Sequence, residues 1–295
     1  MKIPLSEGKT RLLLGRLSLN MQDSPEVIAE EYRIGQVQIV ETGYPEPAVY
    51  VKVWAERLTA IRQETKGADE WTAKILEDSE LAPEHRIVVY HPPSSAQQFI
   101  AAESLLVFND VTVWFQLEDL TEVCSAGRMK ERSLAVVAAY QHLPQGQALT
   151  DGYWFYTGYG RVNLKSDDEM VNTSLMAGGL PLTVCTSTIQ EQQKETGLVE
   201  RLTAFANHPE LPGKVTKIKA AKRPIAGMAG EEVVFYHQER GKQSIEANFQ
   251  WGYSGAVQQF PEVQLQWQGE LPNPKAMDAR LPRWEALLSS MEYKG

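Results

Sequence analysis

Two stretches near the C-terminus alternate too strictly to be anything but strands. Ile245, Ala247, Phe249 and Trp251 are interleaved with Glu246, Asn248 and Gln250, and Val263, Leu265 and Trp267 with Gln264, Gln266 and Gln268. A period of two sends successive side chains to opposite sides of a strand. Apolar residues on one side and polar ones on the other match an antiparallel sheet with one face on a core and one in water. Residues 233–237 and the turn pair Arg240-Gly241 supply the preceding strand and its reversal. Leu281, Trp284, Leu287, Leu288 and Met291 then follow at helical spacing and close the chain with a helix.

Similar signals recur upstream. Residues 12–19 read as a strand with a bulge at Gly15, and 37–40 and 48–53 as strands around Gly43-Tyr44-Pro45-Glu46-Pro47. Trp54, Leu58 and Ile61 predict a helix reaching Thr65, and 86–90 a short strand stopped by Pro92-Pro93. A hairpin is expected over 105–115 about Asn109-Asp110, and a helix with a broad apolar face over 129–142. Aromatic strand sequence restarts at 152–164, and a further helix is expected over 189–207, weakened at Gly197. The 295 residues exceed the usual span of one core. The expected fold is α+β with two domains, 1–145 and 146–295, each a mainly antiparallel sheet packed with one or two helices.

Composition narrows the function classes. A net charge of −9 opposes nucleic-acid phosphates and anionic membrane surfaces and favours encounter with a basic partner. No stretch is apolar for long enough to suggest a transmembrane segment. Met1 to Ser6 shows neither a signal h-region nor a cleavage site, which fits a cytoplasmic chain or one whose signal preceded Met1. Cys124 and Cys185 are compatible with one bridge or with two buried thiols.

Catalytic signatures are weak. Gly252-Tyr253-Ser254-Gly255 has the wrong spacing for a serine-hydrolase elbow. His85, His91, His142, His208 and His237 form no ligand pair, and Asp167-Asp168-Glu169 lacks the spacing of a calcium loop, so neither a metal nor a cofactor is expected. Neither Gly158-Tyr159-Gly160-Arg161 nor Gly227-Met228-Ala229-Gly230 completes a dinucleotide fingerprint. The expectation is a non-enzymatic binding protein.

Arg223-Pro224-Ile225-Ala226-Gly227-Met228-Ala229-Gly230-Glu231-Glu232 is distinctive as a block. It is followed by Phe249-Gln250-Trp251, then Pro261-Glu262-Val263, then Trp284 in the terminal helix. This order resembles the C-terminal domain of the immunity proteins that protect bacteria from type VI secreted lipase (phospholipase) effectors. That family has a Gly-x-x-Gly-Glu-Glu turn, a Phe-x-Trp strand, a Pro-x-hydrophobic strand and a Trp-centred final helix. Leu143-Pro144, Gly152-Tyr153-Trp154-Phe155 and the opening Gly15-Arg16-Leu17-Ser18-Leu19 resemble further family segments. The chain departs from the family in lacking its Gly-Phe-Cys, its Arg-rich tail and its signal or lipobox.

The resemblance implies an inhibitor that binds a cognate lipase effector in the periplasm. The alternative is a cytoplasmic chaperone or adaptor for such an effector. Arg223, Gly227, Gly230, Glu231, Glu232, Phe249, Trp251, Pro261 and Trp284 are expected to hold the fold. Tyr153, Trp154, Tyr156, Tyr159, Asp167, Asp168 and Glu169 are the candidate partner contacts.

Overall fold

The computed structural model describes residues 1–4, 9–43, 50–66, 71–94, 97–144, 154–188, 197–208, 210–253 and 261–294. They form an α+β fold of antiparallel sheets packed with helices. The chain gathers into two compact units. The first contains Met1–Glu30, Gln145–Gly158 and Asp167–Gly295, and the second Glu31–Pro144 and Tyr159–Ser166. The units thus do not follow the linear halves 1–145 and 146–295. The opening residues fold with the C-terminal ones: Leu17 and Ser18 pair with Tyr293 and Glu292. The Met1 ammonium donates to the carbonyls of Leu13 and Thr157 at 2.7 and 2.6 Å.

In the first unit, six antiparallel strands lie in the order Gly213–Ile225, Met228–Glu239, Ile245–Tyr253, Glu262–Leu271, Leu180–Ser187, Glu169–Ala177. Phe249, Trp251, Leu265 and Trp267 share one face, and the closing helix Lys275–Ser289 packs on it. Trp284 of that helix lies 6.0 Å from Phe249, centroid to centroid, and Phe249 lies 5.2 Å from Trp267. A short helix, Leu198–Ala206, covers part of the other face, where Leu202 clusters with Val233 and Phe235. That cover explains why Asn248, expected on a wet face, is buried.

In the second unit, Tyr32–Ile34 of the strand Glu26–Ile34 is followed in the sheet by Val37–Gly43, Val111–Leu120, Phe99–Val107, His85–His91 and Lys74–Ala82, again all antiparallel. Helix Tyr50–Gln63 lays Trp54, Leu58 and Ile61 on one face, with Trp54 stacked on Trp114 at 5.9 Å. Helix Ala126–Ala139 covers the other, where the hydroxyls of Ser104 and Ser133 meet at 3.1 Å.

Several expectations change at element boundaries. The strand expected over 48–53 is helix from Tyr50 onward, because Tyr50, Val53, Trp54, Leu58 and Ile61 form one apolar stripe against the sheet. Tertiary packing overrides the β-preference of Tyr50-Val51 and Val53 there. Residues 12–19 are two strands, Thr10–Leu14 and Leu17–Met21, and Gly15 turns between them at φ 57° rather than bulging. The helix expected over 129–142 starts at Ala126 behind the cap Ser125 and stops at Ala139. Tyr140–His142 then pairs with Gly160–Val162 as strands. Within 152–164 there are two short strands, Phe155–Tyr156 and Gly160–Val162. Of the helix expected over 189–207, Leu198–Ala206 is helical and 189–196 lies outside the described residues.

Three hairpins close on two-residue turns with both residues at positive φ: Gly35-Gln36 (57°, 67°), Gly178-Gly179 (54°, 80°) and Ala226-Gly227 (50°, 85°). This geometry matches the right-handed twist of the flanking strands. Replacing Gly227 by Ala places a Cβ in the left-handed region and is expected to cost ~1 kcal/mol in urea unfolding. An unchanged midpoint would show that the turn tolerates a side chain there.

Candidate partner-binding surfaces

The aromatic and acidic segment singled out in the sequence divides by burial. Tyr153 lies outside the described residues. In the first unit Trp154 is half-buried and Tyr156 is buried, its backbone paired with Gly15 at 2.8 and 2.9 Å. Asp167 is exposed and Asp168 half-exposed. Glu169 is only 4% exposed and is ion-paired with Arg16 at 2.5 Å. In the second unit Tyr159 is half-buried, and its backbone N–H donates to Glu41 Oε2 at 2.9 Å. The other oxygen of Glu41 accepts from the Tyr140 hydroxyl at 2.8 Å. Tyr156 and Glu169 are therefore committed inside the fold, and Asp167 is the member that faces solvent.

The block 223–232 has a structural task at nearly every position. Ala226-Gly227 forms the turn just described. Gly230 lies under the indole of Trp251, whose ring atoms stand 2.4 Å from where a Cβ would be. That close approach lets Trp251 Nε1 donate to the Arg223 carbonyl at 2.9 Å. Glu231 Oε2 accepts from the Val199 N–H at 3.1 Å, capping the helix Leu198–Ala206, whose own cap residue Gly197 has no side chain to do so. Phe249 and Pro261 are both buried.

Glu232 has no exposed surface. It receives Arg223 Nη1 at 3.0 and 3.2 Å, Lys219 Nζ at 2.8 Å and Trp284 Nε1 at 2.9 Å. Glu285 of the closing helix completes the cluster, 2.7 Å from Lys219 and 2.5 Å from Arg223. Burial alone lowers the pKa of Lys219 and Arg223, but the hydrogen bonds and charges of Glu232 and Glu285 outweigh it and hold both above their usual values. Burial raises Glu285, yet its bonds to Lys219 and Arg223 win and its pKa falls below the usual value.

The second unit has its own buried carboxylate. Glu103, 3% exposed, binds Arg57 of the helix Tyr50–Gln63 through Nε at 2.7 Å and also through Nη2, and accepts from the Tyr90 hydroxyl at 2.7 Å. Beside it a recess of about 360 Å³ opens on the sheet face, lined among others by Glu31, Arg33, Gln38, Gln116 and Glu118. No sequence motif marks this recess, since its residues are spread over five strands. Only the parity of Gln116 and Glu118 within one strand, once paired with Gln38, carried the information.

The groups weighed for chemistry are not assembled into a reactive site among the described residues. Cys124 and Cys185 are both free, the first buried and the second half-buried. Burial raises the Cys185 thiol, making it a poorer nucleophile at neutral pH. His85 and His91 end one strand, and His91 Nδ1 is 2.8 Å from the Phe99 carbonyl. Among the described residues no cluster of three His, Cys, Asp or Glu is placed to hold a metal ion. Ser254 lies outside them. No described helix is long and apolar enough to cross a membrane.

Together these features define a two-unit antiparallel α+β protein in which each unit clamps a buried glutamate with an arginine. No family model and no curated protein matches the sequence. Among solved structures the chain is similar to the apo immunity protein TplEi of the T6SS from Pseudomonas aeruginosa, with a TM-score of 0.74 and 14% identity over 97% of both chains. It is also similar to a chain in the crystal structure of the Tle4–Tli4 complex, at TM-score 0.73 and 12% identity over 98% of this chain and 99% of that one. TplEi complexed with "L" peptide matches at 0.70 and 14%, over 97% and 98%. At such identities the likeness is one of fold.

The charge cluster generates a pH prediction. Because the folded pKa of Glu285 lies below its usual 4.5, its stabilising contribution is complete above that pH and is lost as pH falls through the folded value. Wild-type protein is therefore expected to be more stable than Glu285→Gln at neutral pH, with the gap in urea midpoint closing as pH falls below 4.5 and through the folded value. A gap that stays constant would show that the Glu285 charge contributes nothing.

Proposed function

We propose that this chain is an immunity protein that binds a cognate type VI secreted lipase or phospholipase effector and inhibits it, with no turnover of its own. The observation that carries this is the likeness of fold, over nearly the whole of both chains, to structures of T6SS immunity proteins. The lipase class comes from the block 223–232 with Phe249, Trp251, Pro261 and Trp284, whose order resembles the lipase-immunity family. The net charge of −9 adds a long-range pull on a basic partner. We place its action in the periplasm, following the same resemblance. The exposed Asp167, with Asp168 and Trp154, remains in the proposed contact set, and an inhibitory complex of this kind buries roughly 1,600 Å² in total.

The test is an activity titration. A lipase effector encoded beside this chain is assayed with increasing purified protein, and activity is expected to vanish at a stoichiometric ratio. Tight binding with activity retained would instead mark a cytoplasmic chaperone or adaptor. Absence of binding would overturn both.

A further inference from the structure

The register of the second unit's sheet draws a line of polar side chains across four strands. Arg33 pairs with Gln38, Gln38 with Gln116, and Gln116 with Glu103. Glu31 and Glu118 stand two residues along from Arg33 and Gln116 on the same face but in opposite directions, so they mark opposite ends of the line, roughly 16 Å apart at standard strand spacings. These six line the recess of about 360 Å³, and no residue of the helix Tyr50–Gln63, which covers the adjoining part of that face, takes part in its lining.

Their hydrogen-bonding capacity is not used up inside the fold. Glu103 is satisfied by Arg57 and Tyr90, and Arg33 has an interaction of its own. Among the described residues, the side chains of Glu31, Gln38, Gln116 and Glu118 have no hydrogen-bond or ion-pair partner. Two of these are carboxylates, which accept only, and two are amides, which accept and donate. The recess therefore offers an excess of acceptors and two carboxylates without a direct ion-pair partner among the described residues. An apolar occupant would strip water from these groups and give nothing back. An anion would meet the two carboxylates. A guanidinium or ammonium group on a protein segment satisfies either carboxylate, and its neighbouring peptide groups can engage the amides.

We infer that this recess is the docking point for a segment of the protein that the chain inhibits with Arg or Lys at two places, one cation met by Glu31 and the other by Glu118, and the backbone between them met by Gln38 and Gln116. The occupant rests on the function proposed above. The rigid floor suits the task, because strand positions hold recognition groups more accurately than loops do.

The experiment measures binding of the effector by wild-type protein, by Glu31→Gln/Glu118→Gln and by Glu118→Lys, each at two salt concentrations, with thermal unfolding as a folding control. The side chains involved are half-buried or exposed, so unchanged unfolding midpoints are expected. The double variant is expected to raise Kd about tenfold and to flatten the salt dependence, and Glu118→Lys to weaken binding further, largely through a slower on-rate. Variants that bind with wild-type Kd and salt slope, while wild-type protein inhibits the effector, would overturn the recess and leave the inhibitor proposal standing. Failure of the wild-type protein to bind or inhibit would overturn that proposal, and the recess's occupant with it.

Discussion

Glu232 is a charge in a place where a lone charge is untenable. A buried carboxylate without partners costs several kcal/mol, so the sheet that contains it forms only if its partners arrive in register. They come from different elements: Lys219 and Arg223 from the edge strand Gly213–Ile225, and Trp284 from the closing helix. The turn Ala226-Gly227 sets the register of that edge strand, and the bare face of Gly230 lets Trp251 lie close enough to hold Arg223 by its carbonyl. The network's value lies less in net stability, since an apolar replacement of such a cluster is often no worse, than in its intolerance of a misplaced strand or helix.

The second unit reaches a comparable arrangement with different parts. Its buried Glu103 is gripped by Arg57 from a helix rather than from an edge strand, and a tyrosine hydroxyl replaces the indole N–H. Burial, followed by the charge of Glu103, drives the Tyr90 hydroxyl far above its ordinary pKa, so it stays a proton donor at any physiological pH. In both units a helix contributes to the clamp, and its seat on the sheet is thereby specified by a polar contact as well as by its apolar stripe.

Much of the strand framework was legible where one face is buried and the other is not. The alternation from Ile245 to Trp251 and from Val263 to Trp267 gave the strands and their apolar face, though not the cover over Asn248 on the other face, and Trp54, Leu58 and Ile61 gave a helix. What escaped were strands without that contrast. In Gly213–Ile225, five Lys and Arg at irregular spacing, with a register shift between Lys217 and Lys219, mask the period. In Lys74–Ala82, shifts at Ile75/Glu77 and Glu80/Ala82 do the same at the other outlying strand. The hairpin around Gly178-Gly179 carried a direct turn signal that a search for longer periodic runs passes over. The block 223–232 was visible as a unit, but its internal division into turn, close approach, helix cap and buried ion was not, because each role depends on a residue far along the chain. The recess was less legible still. Partner recognition leaves no period in a sequence, and Gln116 lies just past the hairpin expected over 105–115, where nothing in the sequence singles it out.

The alternation of Val111–Leu120 has a consequence for how such a protein can change over generations. Phe115 and Leu117 point into the core beneath the helix Ala126–Ala139, while Gln116 and Glu118 point into the recess. Stability and surface chemistry are thus written on alternate letters of one strand. Substitutions at Gln116 and Glu118 can redraw what the surface attracts while Phe115 and Leu117 keep the scaffold intact, so this end of the strand has room to vary without the protein first having to refold.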